Sequence, residues 1–231
     1  MAKRSRVRSY LLLSRISNLP TVWTNVLAAH AAAAGYIYSF KEAVVAFSLF
    51  YVGGMFLNDA FDAPFDAQAR ADRPIPNGDV SRSEVFAIGF GLLLAGELVL
   101  ALVSHAVPAM LWGVALAVAI VFYDYRHKGQ WYGPVVMGAC RALIYCAAAA
   151  GAIGLVTTAA AIAAMVMWLY VILLTIVAKT SGKSYLVPWL LAGICIVDAI
   201  IIAFLGFPEW AVLAAAGFVL TLWFQRVVPG T

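Results

Sequence analysis

Charged residues are scarce in this chain. They make up 11% of its 231 residues, against about 25% in ordinary soluble domains. Hydrophobic residues make up 65%, and the mean hydropathy is +0.94. This balance excludes an ordinary soluble domain and predicts a protein that crosses the lipid bilayer several times. The net charge of +4 is concentrated in a few loops. It therefore bears on orientation in the membrane, and we expect no nucleic-acid partner.

Cysteine is also scarce. The three cysteines, Cys140, Cys146 and Cys195, all lie in apolar runs. Their spacing fits neither a metal site nor a disulfide framework, so we interpret them as packing residues. Residues 1–8 are basic, but the apolar run that follows has no convincing cleavage site, so we expect no cleaved signal peptide. Without a linker or a polar block, we predict a single transmembrane domain over residues 1–231.

Eight apolar segments predict an all-α bundle of about eight transmembrane helices. The predicted spans are 19–38, 43–61, 84–103, 109–123, 134–155, 158–178, 186–205 and 210–224. Runs of alanine within them favour close helix packing in lipid. Thirteen of the fifteen lysines and arginines fall at the termini or in the three longer polar loops. The positive-inside rule then predicts an inner-membrane-type protein with both termini and these loops in the cytoplasm.

An acidic stretch ends the second span. Asp59, Asp62 and Asp66 are spaced by three and then four residues, so a helix would place them on one face. Asn58 lies four residues before Asp62. Hard carboxylate and amide oxygens suit Mg²⁺, which takes one or two carboxylates together with the phosphates of a substrate. We therefore predict a magnesium site here. The alternative is a solvated acidic loop that caps the helix.

The residues after this stretch are basic. We expect Pro64 to end or bend the helix, because proline lacks a backbone donor, so that Asp66 leaves the common face. Arg70 and Arg73 follow in the loop. Guanidinium groups match phosphate oxygens in a bidentate manner, so both are candidate phosphate contacts. For Arg73, a positive charge that only flanks the helix is the alternative.

This part of the chain resembles a known family. The run N-D-A-F-D-A-P-F-D, followed by R-A-D-R-P-I-P-N-G-D-V-S, resembles the first aspartate-rich motif of the UbiA-type membrane prenyltransferase superfamily. The resemblance implies a UbiA-like fold and a prenyltransferase. Its aspartates would bind Mg²⁺ and, through it, the diphosphate of an isoprenoid donor, whose prenyl group passes to an aromatic or other small acceptor. It does not specify an oligomeric state.

The resemblance extends from about residue 10 to residue 185. It includes S-R-x-x-N-x-P-T-V-W, which carries Arg15, another candidate diphosphate contact. The family has a Tyr-x-x-x-Lys element in the second polar loop, and here Tyr123 and Lys128 are one residue further apart. The pattern Y-D, K, G-P and M-G-x-C-R is similar to the short EboC-like branch. It implies that Lys128 reaches the diphosphate, and a topological charge is the alternative.

An ionised residue lies inside the fifth span. Arg141 is about a third of the way into it, and such a residue should face the interior of the bundle and have a function. Asp198 lies near the middle of the seventh span and is the expected partner of Arg141. We predict catalytic roles for Asp62, Lys128 and Arg141.

The third polar loop lacks an expected motif. Most family members carry a second D-x-x-x-D there, whereas this chain has Lys179 and Lys183 and no carboxylate. Lysine does not bind Mg²⁺, but it can neutralise phosphate as a point charge. Lys179 is therefore a candidate diphosphate contact. The loss leaves a second hypothesis open, a catalytically degenerate protein that binds or transports a prenylated or aromatic metabolite.

Overall fold

The computed structural model describes residues 4–126, 130–180, 184–228 and 230, and in these residues it contains helices and no strand. The α-helices are α1 Arg6–Ser14, α2 Leu19–Ala32, α3 Phe40–Ala69, α4 Arg82–Leu100, α5 Ala106–Arg126, α6 Gly133–Ile153, α7 Thr158–Thr180, α8 Val187–Phe204 and α9 Pro208–Gln225. Two short 3₁₀ helices, Ile16–Asn18 and Ser184–Leu186, precede α2 and α8.

Helices α2 to α9 correspond to the eight predicted spans. Six of them, α3 to α8, are long and apolar enough to cross a membrane. Helix α2 has 14 residues, and α9 has 18. The helical membrane bundle predicted from hydropathy is confirmed. Helix α1 is an additional short helix that the hydropathy pattern did not predict.

We expected Pro64 to end or bend helix α3, and the helix does not end there but runs through it. The helix continues to Ala69. Proline at this position leaves the carbonyl of Ala60 without its helical N–H donor. The side chain of Arg82 replaces that donor, with its Nε 2.7 Å from the Ala60 oxygen. Asp66 therefore stays on the face that carries Asp59.

Helix α2 lies inside the bundle, against α3, α6, α8 and α9. Its alanines pack against the alanines of α6, and Ala28, Ala29, Ala147 and Ala149 are fully buried. Helices α3 and α4 also approach closely. A Cβ atom at Gly53 would lie 2.9 Å from the carbonyl oxygen of Gly89, so the contact requires glycine.

Four helix ends meet at one end of the bundle. Asn58 of α3 donates to the carboxylate of Asp124 near the end of α5, at 3.0 Å. Tyr123, beside Asp124, and Thr175 near the end of α7 both contact the sulfur of Met137 at the start of α6, at 3.7 and 3.4 Å. The ends of α3, α5 and α7 therefore lie on the same side as the start of α6.

Beside this group of helix ends, Asn18 contacts the end of α9 and the segment after it. Its Nδ2 donates to the carbonyl oxygen of Gly230 at 3.1 Å. Its Oδ1 accepts from Nε2 of Gln225, the last residue of α9, at 2.7 Å. The segment after α9 is thus fixed against the junction of α1 and α2.

Candidate active site

Asp59, Asp62 and Asp66 form an acidic face on α3. Two arginines contact this face. Asp59 is buried, and its Oδ1 accepts from Arg15 Nη2 at 2.9 Å and from Arg73 Nη1 at 2.6 Å. Arg73 Nη1 also lies 3.4 Å from Oδ2 of Asp66, two helical turns further on. The carboxylates and guanidinium groups neutralise each other, which allows charge to lie at the end of a membrane helix.

The local backbone brings these arginines to α3. Arg15 adopts a left-handed conformation, with φ 44°, at the break between α1 and the 3₁₀ helix. Arg73 lies in the loop after α3, which is folded by backbone hydrogen bonds from Arg73 N to Arg70 O and from Asn77 N to Arg73 O. Arg15 therefore comes from the segment before α3 and Arg73 from the loop after it, and both contact Asp59.

The acidic face has the donor chemistry that Mg²⁺ requires. Asp59 and Asp66 share one guanidinium group, and Asp62, half-buried, lies between them on α3. The described residues contain no group of three His, Cys, Asp or Glu side chains arranged around a metal position. Magnesium in proteins takes one or two carboxylates and completes its shell with water and substrate phosphates.

Asn58 connects this face to α5. Its amide nitrogen donates to Oδ1 of Asp124, which leaves the amide oxygen of Asn58 as an acceptor. Asp124 is 5% exposed, and its Oδ2 has no hydrogen-bond partner among the described residues. A buried carboxylate oxygen without a donor is costly, so this atom is a candidate contact for a ligand.

Arg141 lies in a polar network inside the bundle. Its Nη1 donates to Asn25 Oδ1 at 2.8 Å, and its Nη2 donates to Thr21 Oγ1 at 3.0 Å. Asn25 in turn donates to Asp198 Oδ2 at 2.9 Å, and the hydroxyl of Tyr145 donates to the other oxygen of Asp198. Asp198 therefore pairs inside the bundle, as expected, but Asn25 lies between it and Arg141, so the direct pair with Arg141 is wrong.

A central cavity joins the network to the acidic face. It has a volume of about 110 Å³ and lies between α3, α5 and α6. Polar side chains enter an otherwise apolar wall at four positions, Tyr51, Tyr123, Asp124 and Arg141. Because Asp124 also contacts Asn58, the cavity adjoins the stretch of α3 that carries the aspartates.

The sequence model of the UbiA prenyltransferase family matches residues 17–228 of this chain. The chain belongs to the UbiA prenyltransferase family.

Several relatives of this UbiA family protein are digeranylgeranylglyceryl phosphate synthases. The protein from Methanoregula boonei is 34% identical over 125 residues, which are 53% of this chain and 43% of the relative. The protein from Metallosphaera sedula is 33% identical over 103 residues, 44% of this chain and 35% of the relative. These matches span less than half the length of the relatives.

A solved structure described as concerning digeranylgeranylglyceryl phosphate synthase in membranes shares the fold. The superposition has a TM-score of 0.61 and covers 96% of this chain and 98% of that one, at 15% sequence identity. The arrangement of helices in this family member is therefore that of a known membrane protein.

Two other predicted contact residues are exposed and form no ion pair with the carboxylates of the acidic face in the part of the chain that the structure describes. Arg70 is exposed where α3 ends, and Lys179 is exposed near the end of α7. Lys128 and Lys183 lie outside the described residues. The structure thus brings together Arg15, Arg73 and the acidic face, and places Arg141 in the adjoining cavity.

Sequence reasoning missed the residues that hold Arg141 in place. Asn25, Thr21 and Tyr145 come from α2 and α6 and surround Arg141 and Asp198. The available signal was Asn25 itself. An amide inside an apolar span needs a polar partner within the bundle, just as a charge does.

Proposed function

We propose that this UbiA family protein is a membrane prenyltransferase whose donor is an isoprenoid diphosphate. The observation that carries the proposal is the acidic face of α3, where Asp59, Asp62 and Asp66 lie beside Arg15 and Arg73. Carboxylates suited to a divalent cation and guanidinium groups suited to phosphate thus occur together.

Each group has a task in this reaction. Asp59, Asp62, Asp66 and the amide oxygen of Asn58 would hold Mg²⁺. When bound, Mg²⁺ supplies positive charge to the diphosphate as its bond to the prenyl group breaks. Arg15 and Arg73 contact the phosphate oxygens. The electron pair of the breaking C–O bond stays on the diphosphate, and an oxygen or carbon of the acceptor bonds to the prenyl carbon and loses its proton.

We propose a glyceryl phosphate type of acceptor in preference to an aromatic one. The support is that several relatives are digeranylgeranylglyceryl phosphate synthases. Arg141 and Asp124 line the central cavity that adjoins the acidic face of α3. We also propose that this end of the bundle faces the cytoplasm, since most of the basic residues lie at it.

The test is a transfer assay on the purified chain. It combines labelled prenyl diphosphates of several lengths with a glyceryl phosphate, a monoprenylated glyceryl phosphate and an aromatic acceptor, with Mg²⁺ or with EDTA. We expect a prenylated glyceryl phosphate product that requires Mg²⁺. Equal donor binding in EDTA would contradict the magnesium site, and a product from the aromatic acceptor alone would contradict the acceptor class.

One observation favours a second function. The end of α7 presents Thr175 and Lys179 where most family members carry the second acidic motif. A protein that binds a prenylated metabolite without turning it over would need only the acidic motif at the end of α3. Magnesium-dependent donor binding with no product from any acceptor would favour this function.

A further inference from the structure

A second, basic pocket adjoins the acidic face of α3. It has a volume of about 710 Å³ and is lined by residues of the first fifteen positions, the end of α3, the loop after it and the segment after α9. Five arginines and two aspartates contribute to its wall. They are Arg4, Arg8, Arg15, Arg73, Arg226, Asp59 and Asp72.

Helix α1 is oriented so that one of its faces lines this pocket. Positions 8, 11, 12 and 15 follow the spacing of a single helical face, and all four line the pocket. The other face is fixed to α4, because Arg6 and Tyr10 both bond to Glu84. The arginines of α1 thus have separate roles, with Arg6 in docking and Arg8 in the pocket.

The arginines of the pocket differ in how far they are neutralised. Arg15 and Arg73 pair with Asp59, and Arg4 lies 3.6 Å from a carboxylate oxygen of Asp79. The side chains of Arg8 and Arg226 form no hydrogen bond or ion pair with any part of the chain that the structure describes. Both are exposed in the pocket wall, so their donors are available to an anion.

The segment after α9 is fixed by contacts that do not involve the charged residues of the pocket. Asn18 fixes the segment after α9 through Gly230 and Gln225, which places Arg226 opposite α1. The five arginines of the wall outnumber its two aspartates, and this excess of positive charge favours a bound anion. Guanidinium groups supplied from several directions match the oxygens of a phosphate monoester.

We propose that this pocket binds the phosphate group of the acceptor, with Arg8 and Arg226 as its direct contacts, an inference that rests on the proposed function. Asp59 belongs both to the acidic face and to the pocket wall, so an acceptor held here lies next to the donor. Leu11, Leu12, Val227 and Val228 supply the apolar part of the wall, against which the carbon chain next to the phosphate can lie.

The test measures binding, without catalysis, on the full chain in a neutral detergent. The probes are geranylgeranylglyceryl phosphate and the same prenylglycerol without its phosphate, in EDTA and without a donor. We expect the phosphorylated probe to bind at least tenfold more tightly. Arg8→Ala and Arg226→Ala should each weaken its binding about tenfold and leave the unphosphorylated probe unchanged.

Three further variants keep the test decisive. Arg126→Ala removes an exposed arginine of α5 outside the pocket and should change neither affinity. Arg8→Lys and Arg226→Lys keep the charge but lose the bidentate geometry, so intermediate affinities are expected. Equal binding of the two probes, or an equal loss in Arg126→Ala, would overturn the assignment.

A lipid headgroup has the same chemistry as the acceptor phosphate, so a second arm separates the two sources. Binding is repeated in nanodiscs of phosphatidylcholine with and without phosphatidic acid. We expect little difference. Loss of probe binding in the presence of phosphatidic acid, dependent on Arg8 and Arg226, would assign the pocket to the membrane. Probe binding in EDTA by a chain that fails to bind any donor would support the pocket while contradicting the proposed donor chemistry.

Discussion

The ends of α3 and α7 lie at the same end of the bundle, yet they offer opposite charges. The end of α3 carries Asp59, Asp62 and Asp66, two of which pair with Arg73. The last two turns of α7 carry Thr175 and Lys179 and no acid. Phosphate charge is neutralised by a metal held on carboxylates or directly by a cation. We infer that this protein uses the first means at α3 and the second at α7.

The largest effect is expected from Asp62→Ala. Removing a ligand from the acidic face should lower the magnesium-dependent affinity for a prenyl diphosphate by about a hundredfold or more, since changes even to the outer shell of a metal site cost about 10- to 100-fold. Calorimetry with Mg²⁺ and with EDTA measures this. Glu42→Ala, which removes an acid from the opposite end of the same helix, is the matched control and should bind normally.

Arg73→Gln should produce two effects of opposite sign. Without its guanidinium group, Asp59 and Asp66 lose a competitor of the metal, so Mg²⁺ alone should bind more tightly. The prenyl diphosphate should bind about tenfold more weakly, because a charged hydrogen bond is lost. Titrations with each ligand test this. Arg70→Gln, in the same loop, should change both affinities little, and an equal effect there would contradict the distinction.

Substitutions of Lys179 test the role inferred for the end of α7. Lys179→Ala should weaken donor binding a few-fold, and Lys179→Asp should weaken it more, because it places like charge toward the diphosphate. A pair of unit charges about 4 Å apart interacts by roughly 4 kcal/mol at an effective dielectric constant of about 20, which sets an upper limit. The measurement is donor affinity at fixed Mg²⁺. Identical affinities in the three proteins would remove Lys179 from the site.

The smallest functional effect is expected from cysteine substitutions. They test whether the ends of α3 and α7 face the same side of the membrane. Ala71→Cys and Thr180→Cys lie at exposed positions after α3 and at the end of α7, and Glu209→Cys lies at an exposed position at the start of α9. An impermeant thiol reagent added outside whole cells should label position 209 and miss positions 71 and 180. Labelling at only one of positions 71 and 180 would show that the ends of α3 and α7 face opposite sides of the membrane.

Hydropathy was sufficient to predict the bundle, and helical spacing indicated the acidic face, although Asp66 was wrongly expected to leave it. Span lengths follow from bilayer thickness, and the spacing of Asp59, Asp62 and Asp66 is a local property of a helix. The course of α3 past Pro64 was not predictable in this way, because it depends on Arg82, which is distant in the sequence.

Long-range partners could not be predicted for the same reason. Asp198 and Arg141 were recognised as buried charges, but the residue between them, Asn25, comes from another helix. Arg226 had the features of a simple topological charge. Its position in the basic pocket depends on the path of the chain after α9, which contributes no pattern to the sequence.

The contacts of Asn18 have a consequence for the order in which the site is built during synthesis. Asn18 precedes α2 to α9 in the chain, but its partners are Gln225, at the end of α9, and Gly230, beyond it. The wall that contains Arg226 therefore cannot form until α2 to α9 have been made. A nascent chain already has the acidic face of α3 but lacks the completed pocket beside it, so the competence to bind both substrates arises late in biogenesis.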